Sequence, residues 1–218
     1  MTAPVAANVR PVRLPLGPTG FARISGVSRE TLAKLTAYVE LLSQWNRRIN
    51  LVSANTIGDV WRRHILDCAQ IAKHLPRQAR VVVDLGSGAG LPGLVLAAMG
   101  GPEMHLIESD LRKSAFLREA ARIMDVPVAL HPERIEKVAA FPADVVVARA
   151  CAPVSQLIDL SAKFWFSETV CLFLKGESAG DELAAAQTAW RMTAETIPSL
   201  SDPSGVILKL SAMRRATS

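Results

Sequence analysis

Apolar residues recur at helical spacing through the first third of the chain and in short runs after it. Leu32, Leu35, Val39, Leu42, Trp45 and Ile49 fall on one stripe, which predicts a helix from Ser28, a good N-cap, to about Arg48. Trp61, Ile65, Cys68, Ala72 and Leu75 keep the same spacing and predict a second helix from about Ile57 to Leu75. From Arg80 onward the period changes. Strands are expected at Val81–Leu85, Met104–Glu108, Val126–Leu130, Val145–Arg149, Val170–Leu174, Met192–Pro198 and Val206–Leu210. Amphipathic stretches such as Leu111–Met124 separate the first five. Alternation of this kind predicts an α/β fold, a doubly wound, mostly parallel seven-stranded sheet covered on both faces. Only the turn-rich Ser199–Gly205 joins the last two runs, so they should form a hairpin that ends the sheet with an antiparallel strand.

Three segments follow from this pattern. Residues 1–27, punctuated by Pro11, Pro15 and Pro18 and carrying Arg10, Arg13 and Arg23, are expected to be a mobile basic arm without regular structure. Residues 28–78 form an N-terminal helical appendage, and residues 79–218 the sheet domain.

Half of the 218 residues are hydrophobic and 21% are charged, which suits a folded chain with one ample core. The net charge of +5 favours an anionic partner, nucleic acid ahead of a membrane surface. Aromatic residues make up 5%, too few for a stacking platform along single strands. The three cysteines are far apart and form no Cys-x-x-Cys or Cys/His cluster, so neither disulfides nor a metal is expected. No signal peptide or membrane-spanning run is evident, and the chain reads as cytoplasmic, monomeric and without a membrane partner.

The chemistry concentrates in Val83-Asp84-Leu85-Gly86-Ser87-Gly88-Ala89-Gly90-Leu91-Pro92-Gly93. A strand ends at an acid, then glycine occupies every second position, where the backbone must turn and a ligand must come close. Glu108 ends the next strand, where a carboxylate can take both hydroxyls of a ribose. The dinucleotide pattern Gly-x-Gly-x-x-Gly sets a pyrophosphate on a helix N-terminus. Here the third glycine comes one residue early, and Asp84 would repel a pyrophosphate but attract the ammonium of a methionine moiety. The loop therefore predicts S-adenosylmethionine, with Asp84, Gly86, Gly88, Gly90 and Glu108 as its binding residues.

Motifs for other acceptors are missing. Methylation at cytosine C5 needs a cysteine nucleophile in a Pro-Cys setting. Cys151 is followed by its proline and is expected to be a small buried apolar residue. The Asn/Asp-Pro-Pro-aromatic run of exocyclic amino methylation is also absent. An acceptor such as guanine N7, which carries a lone pair and no proton, needs positioning and no general base. Arg149 is the candidate for that positioning, with a structural ion pair as its alternative. Asn50, His64 and Asp67 either line the acceptor pocket or tie the appendage to the sheet. Lys175, after the fifth strand, stands where ligands of such sheets bind. Arg47-Arg48, Arg62-Arg63 and Arg214-Arg215 are either a phosphate-contacting rim or solvated faces.

From about Leu41 to Lys175 the sequence resembles the bacterial 16S rRNA (guanine-N7)-methyltransferase family, RsmG or GidB. The resemblance rests on Trp45-Asn46, Ile49-Asn50-Leu51, Arg63-His64-Ile65-Leu66-Asp67 and the Asp84–Gly93 loop. It continues in Leu106-Ile107-Glu108-Ser109, Lys113, Phe116-Leu117, Val147-Ala148-Arg149-Ala150 and Leu174-Lys175-Gly176. It implies methylation of guanine N7 in the decoding-centre hairpin of 16S rRNA, free or within the small ribosomal subunit. It also implies cofactor contacts from Gly86 and Leu91, an adenine edge held by Ile135 and Glu136, and Arg149 near the transferred methyl. Cys151 departs from the larger apolar residue common there, and the proline-rich arm has no counterpart. Two other readings stay open: a methyltransferase for a small molecule or protein, and a non-catalytic RNA-binding factor of ribosome assembly.

Overall fold

Each short apolar run becomes a strand of one sheet in the computed structural model, which describes residues 11–216. Helices α1 (Pro18–Ser25), α2 (Arg29–Asn46) and α3 (Ala54–Ile57) come first. A π-helical turn, Trp61–Leu66, runs into the short α4 (Asp67–Ala69) and a 3-10 turn, Gln70–His74. Then follow β1 (Val81–Leu85), α5 (Gly93–Ala98), β2 (Glu103–Ile107), α6 (Leu111–Met124), β3 (Val128–His131) and β4 (Val145–Arg149). The chain closes with α7 (Val154–Ser161), β5 (Val170–Lys175), α8 (Ala179–Ala186), β6 (Trp190–Pro198) and β7 (Val206–Arg215).

The sheet order is β3-β2-β1-β4-β5-β7-β6. The first five strands in that order run parallel, and β7 pairs antiparallel with both β5 and β6, as the turn-rich connection predicts. Strand order reverses between β1 and β4, so their C-terminal ends flank the crevice where open sheets of this kind bind ligands.

Side chains alternate across the sheet with period two. Val82, Leu106, Val145 and Val147 join Phe21, Tyr38, Trp61 and Phe116 in one core. Val83, Leu85, Val146 and Phe173 join Ile158, Phe164 and Trp190 in the other. The N-terminal helices thus complete one face of the sheet. Ser28 caps α2 by accepting the amide of Thr31 at 3.0 Å, and Asp110 caps α6 by accepting those of Arg112 and Lys113.

Two expectations change. Pro18 does not interrupt structure but begins α1, where a missing N–H costs nothing. Phe21 on that helix is fully buried against Trp61, and Val12 donates its amide to the carbonyl of Leu200 at 2.8 Å. The expected mobile arm is therefore ordered from Pro18 onward; its residues 1–10 lie outside the described residues. The second helix is not continuous either. It breaks after α3 and widens through Trp61–Leu66, where the amide of Asp67 reaches the carbonyls of Arg62 and His64. Among the described residues no helix is long and apolar enough to cross a membrane, and no group of three or more His, Cys, Asp or Glu could hold a metal.

Candidate active site

After β1 the chain turns through Gly86, Gly88 and Gly90, with φ of 62°, 56° and 80°. At Gly86 a Cβ would lie 2.3 Å from the Cys151 sulfur, so both conformation and contact require glycine. The loop is fixed from three sides. Tyr38 donates its hydroxyl to the Ala89 carbonyl at 2.7 Å, Gly93 donates its amide to Asp84 Oδ2 at 3.0 Å, and Gly88 donates to Glu108 Oε2 at 2.9 Å. The other oxygen of Glu108 accepts the amide of Asp110 at 2.7 Å.

The loop borders a cavity of about 410 Å³. Gly86, Gly88, Leu91, Glu108, Ile135, Glu136 and Arg149, all named from sequence, line it. Asp84 and Gly90 do not. Asp84 lies beneath the loop, fully buried, and burial pushes its pKa up to about 7. Its Oδ1 has no hydrogen-bond partner.

A second cavity of about 350 Å³ adjoins the first, and Arg149 and Ala150 line both. His64, Asp67 and Lys175 line the second; Asn50 lines neither, and its neighbour Leu51 lines the first. Arg149 donates to His64 Nδ1 at 2.8 Å, to Asp67 Oδ2 at 3.3 Å and to the Arg63 carbonyl at 3.2 Å. A guanidinium has only donors, so His64 Nδ1 accepts, and the ring proton sits on Nε2, which donates to Thr56 Oγ1 at 2.8 Å. Burial first, then the charges of Arg149 and Arg63, lower the His64 pKa to about 3 and keep the ring neutral. Asp67 Oδ1 accepts Ser201 Oγ at 2.5 Å and Gln70 Nε2 at 3.2 Å.

His64 and Asp67 tie the helices to β4 through Arg149, and both also line the second cavity. The arginine pairs divide. Arg62 is spent on Asp59 and the Ser201 carbonyl, Arg63 pairs with Asp202, and Arg215 pairs with Asp159 over the Trp190 ring. Cys151 is not buried as expected. Ala150 has φ of 48°, which turns the chain so that Cys151 is exposed at the wall of the first cavity. Sequence reasoning missed Thr56, Ser201 and Glu182. Hydroxyls and one surface-like glutamate give no periodic signal, and their partners lie up to 134 positions away.

The family model for GidB, described as rRNA small subunit methyltransferase G, matches residues 31–206. The chain belongs to this family. The GidB match reaches beyond Leu41–Lys175 at both ends and takes in all but the first two residues of α2 and the whole β6–β7 connection. The ribosomal RNA small subunit methyltransferase G of Rhodospirillum centenum is 54% identical over 193 residues, covering 88% of this chain and 89% of that protein. The protein of the same name from Rhodospirillum rubrum is 51% identical over 199 residues, covering 91% and 99%. Among solved structures, a variant of MtNAS in complex with S-adenosylmethionine superposes with a TM-score of 0.57 at 13% identity, covering 90% of this chain and 84% of that one. At that identity the likeness speaks for the fold alone.

Proposed function

We propose that this chain transfers a methyl group from S-adenosylmethionine to N7 of a guanine in the decoding-centre hairpin of 16S rRNA. Membership of the GidB family supports rRNA methylation with this cofactor. The observation that carries the acceptor is the second cavity, which shares the Arg149–Ala150 wall with the first and whose own histidine and carboxylates are each already hydrogen-bonded.

The first cavity fits the cofactor. Two amides fix the Glu108 carboxylate at its wall, and the remaining lone pairs suit a ribose diol. Ile135 and Glu136 border the same cavity, as an adenine edge requires. Asp84, buried beneath the loop with its Oδ1 unpartnered and its pKa raised to about 7, would gain its charge when an ammonium comes close above it. When bound, the cofactor supplies an electrophilic methyl on a sulfonium.

The second cavity then takes the acceptor. His64 is neutral, and its Nδ1 is occupied by Arg149. Asp67, Glu182 and Asp202 are each engaged by donors. A cavity whose histidine is neutral and whose carboxylates are all engaged suits a nucleophile that has no proton to lose, which is the state of guanine N7. Arg149, anchored by three acceptors, holds its charge at the wall to face guanine O6 or a phosphate.

The test is methyl transfer from labelled S-adenosylmethionine to unmodified 16S rRNA and to small subunits, followed by nucleoside analysis. The expected product is 7-methylguanosine in the decoding hairpin. Label in another nucleoside would keep the cofactor and break the acceptor argument. No label, with cofactor binding intact, would favour a small-molecule or protein acceptor.

A further inference from the structure

We propose that Lys175 and Glu182 are a positioning clamp that holds the Ala150–Val154 loop as the common wall of the two cavities, and that Lys175 is not an RNA ligand. The kinetic part of the proposal rests on the functional reading above; the conformational part stands on geometry alone.

Ala150 has φ of 48°, a conformation that L side chains rarely adopt and that persists only where the surroundings hold it. The holding groups come from the end of β5, the N-cap of α8 and its first turn. Lys175 donates its ammonium to the Ala152 carbonyl at 2.6 Å and to Glu182 Oε2 at 2.7 Å. The same carboxylate oxygen accepts the Val154 amide at 2.9 Å, and Ser178 donates to the other at 2.7 Å. The loop is thus gripped on both sides of Pro153.

The Lys175 side chain is 9% exposed and its charge is already paired, whereas a phosphate ligand must present its ammonium at the surface. What the clamp sets is the place of its neighbours. Arg149 and Ala150 face both cavities, and the Cys151 sulfur lies over Gly86. A loop displaced by a fraction of an ångström would disturb the cofactor cavity and the acceptor cavity together.

Cys151 makes the loop observable, because it is exposed while Cys68 and Cys171 are buried. Lys175→Met and Glu182→Gln are each compared with the unaltered chain for the rate at which a disulfide reagent labels Cys151. The clamp requires labelling to accelerate by about threefold or more in both variants. It also requires kcat on rRNA to fall about tenfold, with RNA affinity and its salt dependence unchanged. Adding Ala150→Gly to Glu182→Gln should recover part of kcat, because glycine adopts this conformation without strain. If Lys175→Met instead weakens RNA binding and lowers the salt slope by about one phosphate, Lys175 is a phosphate ligand and the proposal falls. Unaltered labelling in both variants overturns it as well, whatever the activity. Should the original chain methylate no rRNA, the functional reading fails separately and the labelling rates still decide the clamp. Should Lys175→Met fail to fold, the near-isosteric Glu182→Gln carries the same measurements.

Discussion

Arg149 donates to His64 Nδ1 at 2.8 Å, and that bond turns a histidine at a cavity wall into an acceptor with no proton-taking role. With Asp67 and the Arg63 carbonyl it holds the guanidinium where the two cavities meet. Arg149→Ala should lower kcat about a hundredfold, the order of losing one positioned electrostatic group. Cofactor affinity should change far less, because the glycine loop and Glu108 remain. His64→Gln, which keeps an acceptor for Arg149, should cost much less than Arg149→Ala. Single-turnover transfer together with cofactor titration separates these effects, and unchanged turnover in Arg149→Ala would remove it from the mechanism.

The same histidine makes stability depend on pH. In the unfolded chain His64 titrates near 6.5, and in the folded chain near 3. Between those values the unfolded chain binds the extra proton, so the His64 contribution is lost as pH falls from 6.5 towards 3. Asp84 has the opposite sign. Its pKa rises from 3.8 to about 7 on folding, so its contribution is lost as pH climbs through that window. The two oppose each other in the unaltered chain and separate only in difference curves. Urea unfolding of His64→Gln should remove a positive slope below pH 6.5, and Asp84→Asn a negative one. A flat difference curve for either variant would deny that residue its part.

Gly86 and Cys151 should couple. In Gly86→Ala the new Cβ meets the Cys151 sulfur at 2.3 Å and also sits at φ of 62°. The loop must shift, and cofactor affinity should fall about tenfold or more. Adding Cys151→Ala removes the contact but not the backbone strain, so part of the affinity returns. Additive effects in the double-mutant cycle would mean that the loop yields without pressing on Cys151.

What the sequence made legible was local. Val81–Leu85, the glycine loop, Ser28 as a cap and Glu108 at the end of β2 are each set by a few adjacent residues, and each lies at or within a residue of its expected place. Arg149 could be named because a charged residue ending a buried strand stands out. Its partners could not be ranked, because the bond to His64 spans 85 positions and depends on a π-helical turn that helical periodicity cannot announce. Lys175 was visible as a charge at the right sheet edge, but its engagement with Glu182 and the Ala152 carbonyl follows only from how α8 packs. Pro18 misled because proline suits the first position of a helix as well as irregular backbone, and burial of Phe21 goes with the helical choice.

That burial has a measurable cost. Phe21→Ala should destabilise the fold by about 3–5 kcal/mol, the usual range for truncating a core aromatic. Phe21 packs with its ring centroid 5.5 Å from that of Trp61, at the start of the turn that carries His64. The loss should therefore also appear as faster exchange of backbone amides in Trp61–Leu66. Denaturant unfolding and hydrogen exchange test both parts. A loss below about 1 kcal/mol would place Phe21 outside the cooperative core.

Tyr38 links the helical layer to the cofactor loop through one hydrogen bond. Its hydroxyl is buried and donates to the Ala89 carbonyl at 2.7 Å, and Ala89 lines the first cavity. Tyr38→Phe keeps the ring, which packs 6.1 Å from Phe116, and removes only the donor. Stability should fall by about 1–3 kcal/mol, since a buried carbonyl loses its partner. The cofactor should bind several-fold more weakly while kcat at saturating cofactor stays the same, because the bond shapes the loop and touches no reacting atom. If stability falls and cofactor affinity does not, the Asp84–Gly93 and Glu108–Gly88 bonds suffice to hold the loop, and Tyr38 acts only in joining α2 to the sheet.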